Sequence, residues 1–107
     1  MIFDDWKDKS EGLEISRHLL WEYDLSDFDW QKMRTVVVGR VIERGWPDDY
    51  YAAIRLYGGL DNFREIIKEV PQLSPRDEAF VVTAFHIDKK DLRCYRRTLS
   101  RERHMNS

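Results

Sequence analysis

The groups in this chain best suited to metal binding or nucleophilic attack are three histidines and one cysteine, His18, His86, His104 and Cys94. A zinc site needs donors paired on one helical face or in one short knuckle, and no pair among these four has such spacing. A Cys94 nucleophile would need an imidazole at its side. His86 is nearest in sequence at eight residues, about two helical turns, with a break expected between them. Glu22, Asp24 and Asp29 are close enough along the chain for acid–base work. Asp24 and Asp29, however, sit where a short side-chain oxygen caps the first turn of a helix, which accounts for them without catalysis. The expectation is a non-enzyme with no metal and no cofactor.

What remains are groups that bind. Between His18 and Trp30 the chain gathers Trp21, Tyr23, Phe28 and Trp30 with Glu22, Asp24, Asp27 and Asp29. An indole offers a large apolar face with one polar handle, so Trp21, Trp30 and Trp46 can anchor a protein or stack on bases. In a domain this small, aromatics at helical spacing are expected mostly in the core. Arg40 and Arg44 lie one helical turn apart, and with Arg93, Arg96 and Arg97 they form the candidate basic surface. Trp21 and Glu22 complete the candidate partner-binding set.

Charge is distributed unevenly. The net charge is −2, yet residues 1–30 hold nine of the twenty acids against Arg17 and two lysines, while residues 86–107 are arginine-rich. Such a dipole can be satisfied internally, with the acidic front facing the basic tail. Alternatively, the tail, with Arg93, Arg96, Arg97, Arg101 and Arg103, is offered to phosphates or to an acidic protein.

These groups must be held by one domain, since 107 residues at 42% hydrophobic supply a single core. The expected organisation is an acidic N-terminal segment 1–12, a helical domain 13–96 and a basic tail 97–107 that is mobile. No apolar run is long enough to span a bilayer, and the start Met1–Asp8 is acidic rather than signal-like, so a cytoplasmic protein is expected with no membrane association. The single Cys94 fits a reducing compartment.

The punctuation is helical. Leu13, Ile15, Leu19, Leu20 and Tyr23 suggest a short amphipathic helix. Ser26 and Asp29 resemble a capping box for a helix over 27–44, with Trp30, Met33, Val37 and Val41 as its stripe and Gly45 as a left-handed stop. Thr35–Val38 is a β-branched run and Gly39 is a poor helix residue, so a strand competes there. The stripe extends on both sides of the run and no second strand is available to pair with it, which favours helix. Pro47 opens the next helix and Gly58–Gly59 closes it. Phe63, Ile66, Ile67 and Val70 follow at i, i+3, i+4 and i+7, with Pro71 beyond. Ser74, Pro75 and Asp77 start a helix whose many apolar residues suggest a central position. Asp88 and Asp91 cap a last short helix carrying Leu92 and Tyr95. The fold class is therefore all-α, a compact orthogonal bundle of five to six short helices.

The series His18–Asp24, Asp29–Trp30, Arg40–Gly45 and Leu92–Tyr95 resembles a small domain-of-unknown-function family common in Bacteroidetes, over residues 18–96. Leu20 stands where that family leads one to expect phenylalanine. Members are small and helical, and some are encoded beside nucleotidyltransferase-type toxins. The resemblance therefore implies a non-enzymatic, antitoxin-like regulator that binds a protein partner, such as a toxin. The alternative is a DNA-binding regulator in which residues 47–57 and 61–70 form a helix-turn-helix and the C-terminal arginines grip nucleic acid. Against it, the segment Asp61–Glu69 carries three acids that phosphates would repel.

Overall fold

The computed structural model describes residues 2–95, and these form an all-α fold with no strand among them. Five α-helices follow in order: α1 (Trp6–Lys9), α2 (Arg34–Arg44), α3 (Pro47–Leu56), α4 (Leu60–Glu69) and α5 (Pro75–Ala84). Short 3-10 turns occupy Arg17–Leu20, Leu25–Asp27 and Lys89–Asp91. Arg96, Arg97 and the tail 97–107, with Arg101, Arg103 and His104, lie outside the described residues.

Helix α2 is the hub: it packs against α3, α4, α5 and the Arg17–Leu20 turn, and α3 packs on α4. Val37, Val38 and Val41 are fully buried within it, so the β-branched run is helical and fills the core rather than forming a strand. The expected centrality of α5 is corrected, because Val81 is its one buried residue and Phe80 is 38% exposed. The central place goes to α2 because its valines meet helices on several sides, whereas α5 contributes one edge.

Two helix starts and one turn follow from local chemistry. Pro47 fixes φ at the first position of α3, and the Asp49 carboxylate two residues on accepts from the Trp46 amide at 2.9 Å. At α5, Ser74 Oγ accepts from the Asp77 amide at 3.1 Å. Asp88 Oδ1 likewise accepts from the Lys90 amide at 3.0 Å, closing the Lys89–Asp91 3-10 turn rather than starting the short helix expected to carry Leu92 and Tyr95. Between α3 and α4 the chain turns through Gly58 and Gly59, at φ 87° and 126°, a region hostile to any residue with a Cβ.

The region before α2 departs from expectation. Residues 13–23 form no α-helix, and only Arg17–Leu20 closes a 3-10 turn. Helix α2 begins at Arg34, not near Asp27: Asp24 Oδ1 accepts from the Ser26 amide, and Asp29 Oδ1 from the Lys32 amide, so each carboxylate closes a local turn. Trp30 therefore precedes the helix instead of opening its stripe. Gly45 ends α2 in extended backbone at φ −76°, not in the left-handed region. Glycine is needed there for space, since a Cβ would lie 2.5 Å from the Val41 carbonyl oxygen.

The N-terminal segment docks on α3. Phe3, buried and left-handed at φ 72°, stacks on Tyr50 and Phe85 at 5.1 and 5.6 Å. Tyr51 donates to Asp5 at 2.7 Å, and Arg55 donates to the buried Ser10 hydroxyl at 3.2 Å.

Candidate functional site

The irregular segment 13–30 is fixed to the bundle by a few long-range hydrogen bonds. Asp49, 1% exposed, accepts from the Ser16 amide at 2.8 Å and the Ser16 hydroxyl at 2.7 Å, besides the Trp46 amide. Both oxygens of its carboxyl group accept, and the group fastens the chain before the first turn to the start of α3. Arg40 reaches from α2 to the Leu19 carbonyl at 2.9 Å and to Glu22 at 2.6 Å. Tyr57 donates to the Trp30 carbonyl at 2.8 Å, and Tyr23, Phe28 and Trp30 meet edge to face.

Leu19 and Leu20 are buried by this arrangement, and the intervening residues line two concave surfaces. One, of about 340 Å³, is walled by Leu13, Ile15, Leu25, Trp30 and Leu56 together with Glu14 and Arg17. The other, of about 550 Å³, is bounded by Trp21, Tyr23, Asp24 and Ser26. Arg17 and Leu25 border both, so the two grooves adjoin. Trp21, on the second, is 76% exposed, and Leu56, on the first, is 46% exposed. Asp24 keeps its carboxyl below the ordinary carboxylate range because the Ser26 hydroxyl and amide both donate to it.

The tryptophans are distributed differently from the expectation that most are core. Trp21 and Trp46 lie on the surface, while Trp6 and Trp30 are partly buried against the core. Arg40 and Glu22 are brought together as each other's partner. Arg44 is exposed, with Glu43 at 3.7 Å. Arg93 lines a separate cleft of about 640 Å³ with Arg34, Lys68, Glu65, Glu69 and Asp91. That cleft holds both signs of charge, and Arg34–Glu69 and Lys68–Glu65 are paired within it at 3.1 and 2.9 Å.

The remaining candidates for chemistry have structural surroundings. Cys94 is buried and lies 3.7 Å from Glu78, which in turn lies 3.5 Å from Lys89. Burial and the neighbouring Glu78 carboxylate push the thiol up from its usual range, which disfavours the thiolate. His86 is left-handed at φ 53° just beyond α5, where Arg64 donates to the Phe85 and His86 carbonyls at 2.8 and 3.0 Å. Among the described residues no group of three His, Cys, Asp or Glu side chains is arranged to hold a metal ion. No helix among them is long and apolar enough to cross a membrane.

Sequence reasoning missed Asp49 as a pin. Its position, in the first turn of a proline-started helix, signals the bond to Trp46 but not the one to Ser16, 33 residues away. The apolar groove was missed as well, because Leu13, Leu25 and Leu56 come from three separate stretches of chain.

Residues 15–67 match the model of a family of unknown function (DUF6922). That span runs from the pinned segment through α2 and α3 into α4, and so contains most of the residues lining the two grooves, though not Leu13 or Glu14, and neither α1 nor α5. No curated protein and no solved structure matches the chain.

Proposed function

We propose that this chain is a non-enzymatic protein-binding regulator, with an antitoxin-like pairing to a toxin as its specific form. The observation that carries the reading is Trp21, a large aromatic standing 76% exposed on a groove that adjoins a second, apolar one. Interface energy concentrates in aromatic and arginine anchors seated beside apolar pockets. A residue of this type on a segment tied down by Arg40 and Asp49 is presented with little ordering left to do on binding. The toxin partner rests on the family resemblance, whose members include neighbours of nucleotidyltransferase-type toxins. A cytoplasmic location accompanies that reading.

The DNA-binding alternative places α4 in a groove. Its solvent face carries Asp61, Glu65 and Glu69, whose side chains are 100%, 69% and 51% exposed, and phosphates repel such a face. Any nucleic-acid contact would fall to Arg93, Arg96 and Arg97.

The test is co-expression of the full chain with the product of the neighbouring gene. A stable complex that Trp21→Ala weakens at least tenfold is the expected result. Absence of a complex, together with salt-sensitive retention on duplex DNA, would replace this reading with the nucleic-acid one.

A further inference from the structure

We propose that the two adjoining grooves beside Trp21 receive a basic amphipathic segment of a partner protein, its apolar side chains in the grooves and its lysines or arginines on the surrounding carboxylates. The inference deepens the protein-binding reading above and rests on it.

The apolar half of the site is concrete. Leu13, Ile15, Leu25, Trp30 and Leu56 wall one groove, and Trp21 stands beside the other. Leu56 and Trp21 are two of the five exposed large apolar side chains among the described residues, with Ile2, Trp46 and Phe80. Apolar walls rimmed by polar residues are the usual form of a protein-binding patch.

Charge selects the occupant. Residues 11–30 carry Glu11, Glu14, Glu22, Asp24, Asp27 and Asp29 against Arg17 alone among lysines and arginines. Glu22 is engaged by Arg40, and the other five acids are on exposed residues. Glu14 and Asp24 stand on the groove walls themselves, and Asp24 is held in its charged form by Ser26. A lysine- or arginine-bearing segment meets complementary potential here, and an acidic one meets repulsion. Arg17, on the shared wall, is the one base it must pass.

The test uses the full chain with two synthetic helical peptides of identical leucine pattern, one with lysine and one with glutamate at every polar position. Titration is followed by calorimetry, with Trp21→Ala and Leu56→Asp as variants; both sites are exposed, and circular dichroism checks that the fold is kept. The lysine peptide is expected to bind at least tenfold more tightly than the glutamate peptide. Trp21→Ala is expected to weaken it tenfold or more, and doubling the ionic strength to weaken it several-fold. Equal binding of both peptides, or binding untouched by either variant, overturns the proposal. So does a concentration-dependent dimer abolished by Trp21→Ala, which would make a second copy the occupant. A complex with the neighbouring gene product that survives both variants would sink this site while leaving the protein-binding reading standing; no complex at all would remove that reading instead.

Discussion

At the scale of single residues, Asp49 is the position with most at stake. A carboxyl group taken out of water is tolerable only when its lone pairs are met, and here the Ser16 amide, the Ser16 hydroxyl and the Trp46 amide meet them. Asp49→Ala leaves buried donors without acceptors and is expected to cost about 2–3 kcal/mol in urea unfolding. Asp49→Asn keeps one acceptor but turns an amide toward a donor, so its cost should be smaller than that of alanine yet measurable; equal stability of wild type and both variants would refute the pinning role. Tyrosine titration gives a second residue-scale prediction. Burial raises the phenols of Tyr50 and Tyr57 well above their ordinary value, with Asp77 adding to the shift at Tyr50 and Arg34 opposing it at Tyr57. The folded state then keeps these protons after the unfolded chain has released them. Their contribution is complete below about pH 10 and declines as pH rises toward the folded values, by up to about 1.4 kcal/mol per pH unit for each group. Tyr57→Phe should make the alkaline loss of stability shallower than in wild type, measured by denaturant midpoints between about pH 9 and 11. It should also cost about 1 kcal/mol near neutrality, because the Trp30 carbonyl loses its donor.

Among the elements, α2 concentrates the contrast between two glycines. At Gly39 a Cβ would meet Val70 at 3.5 Å, ordinary contact distance, inside a helix where glycine is unfavourable. Gly39→Ala is expected to stabilise the protein by about 0.5–1 kcal/mol. At Gly45 the added Cβ would strike the Val41 carbonyl, so Gly45→Ala should destabilise, and thermal melts of the two variants should move in opposite directions. The elements also show what sequence could reveal. The α4 stripe Phe63, Ile66, Ile67 was readable because a helix packed on one side repeats its apolar residues at three and four, and all three are buried. The starts of α3 and α5 were readable because proline and a short capping side chain act within one turn. Residues 13–33 were not. Their conformation depends on Arg40 reaching Leu19 and on Asp49 reaching Ser16, contacts 21 and 33 residues apart that leave no period in the sequence. Hydrophobic residues there imitate a helical pattern while serving short turns, and so the grooves they build were hidden too.

For the whole molecule, the matched span 15–67 and the cooperative unit are different objects. Helix α2 finds much of its cover within the span, from α3 and α4. Phe63, however, packs on Phe85 at 5.5 Å, and Val81, Phe85 and Leu92, all fully buried, lie beyond residue 67. Arg64 also closes the end of α5 through the Phe85 and His86 carbonyls, tying α4 to chain outside the span. From the other side, Phe3 stacks on both Tyr50 and Phe85 and so joins the N-terminal segment to α3 and to the end of α5. Burying one large apolar side chain contributes about 1.5–3 kcal/mol. Losing Phe3, Val81, Phe85 and Leu92 together would therefore consume most or all of the roughly 5–15 kcal/mol that ordinarily holds a domain folded. A fragment of residues 15–67 is expected to be largely unfolded, with little helical circular dichroism and no cooperative melt. Phe3→Ala in the full chain should remain folded but lose about 2–4 kcal/mol, less than or comparable to a central Phe→Ala, since the residue enters from near a chain end. A cooperative melt of the 15–67 fragment near that of the full chain would show that the span holds a sufficient core by itself, and that α5 and the Phe3 segment are additions rather than parts of it.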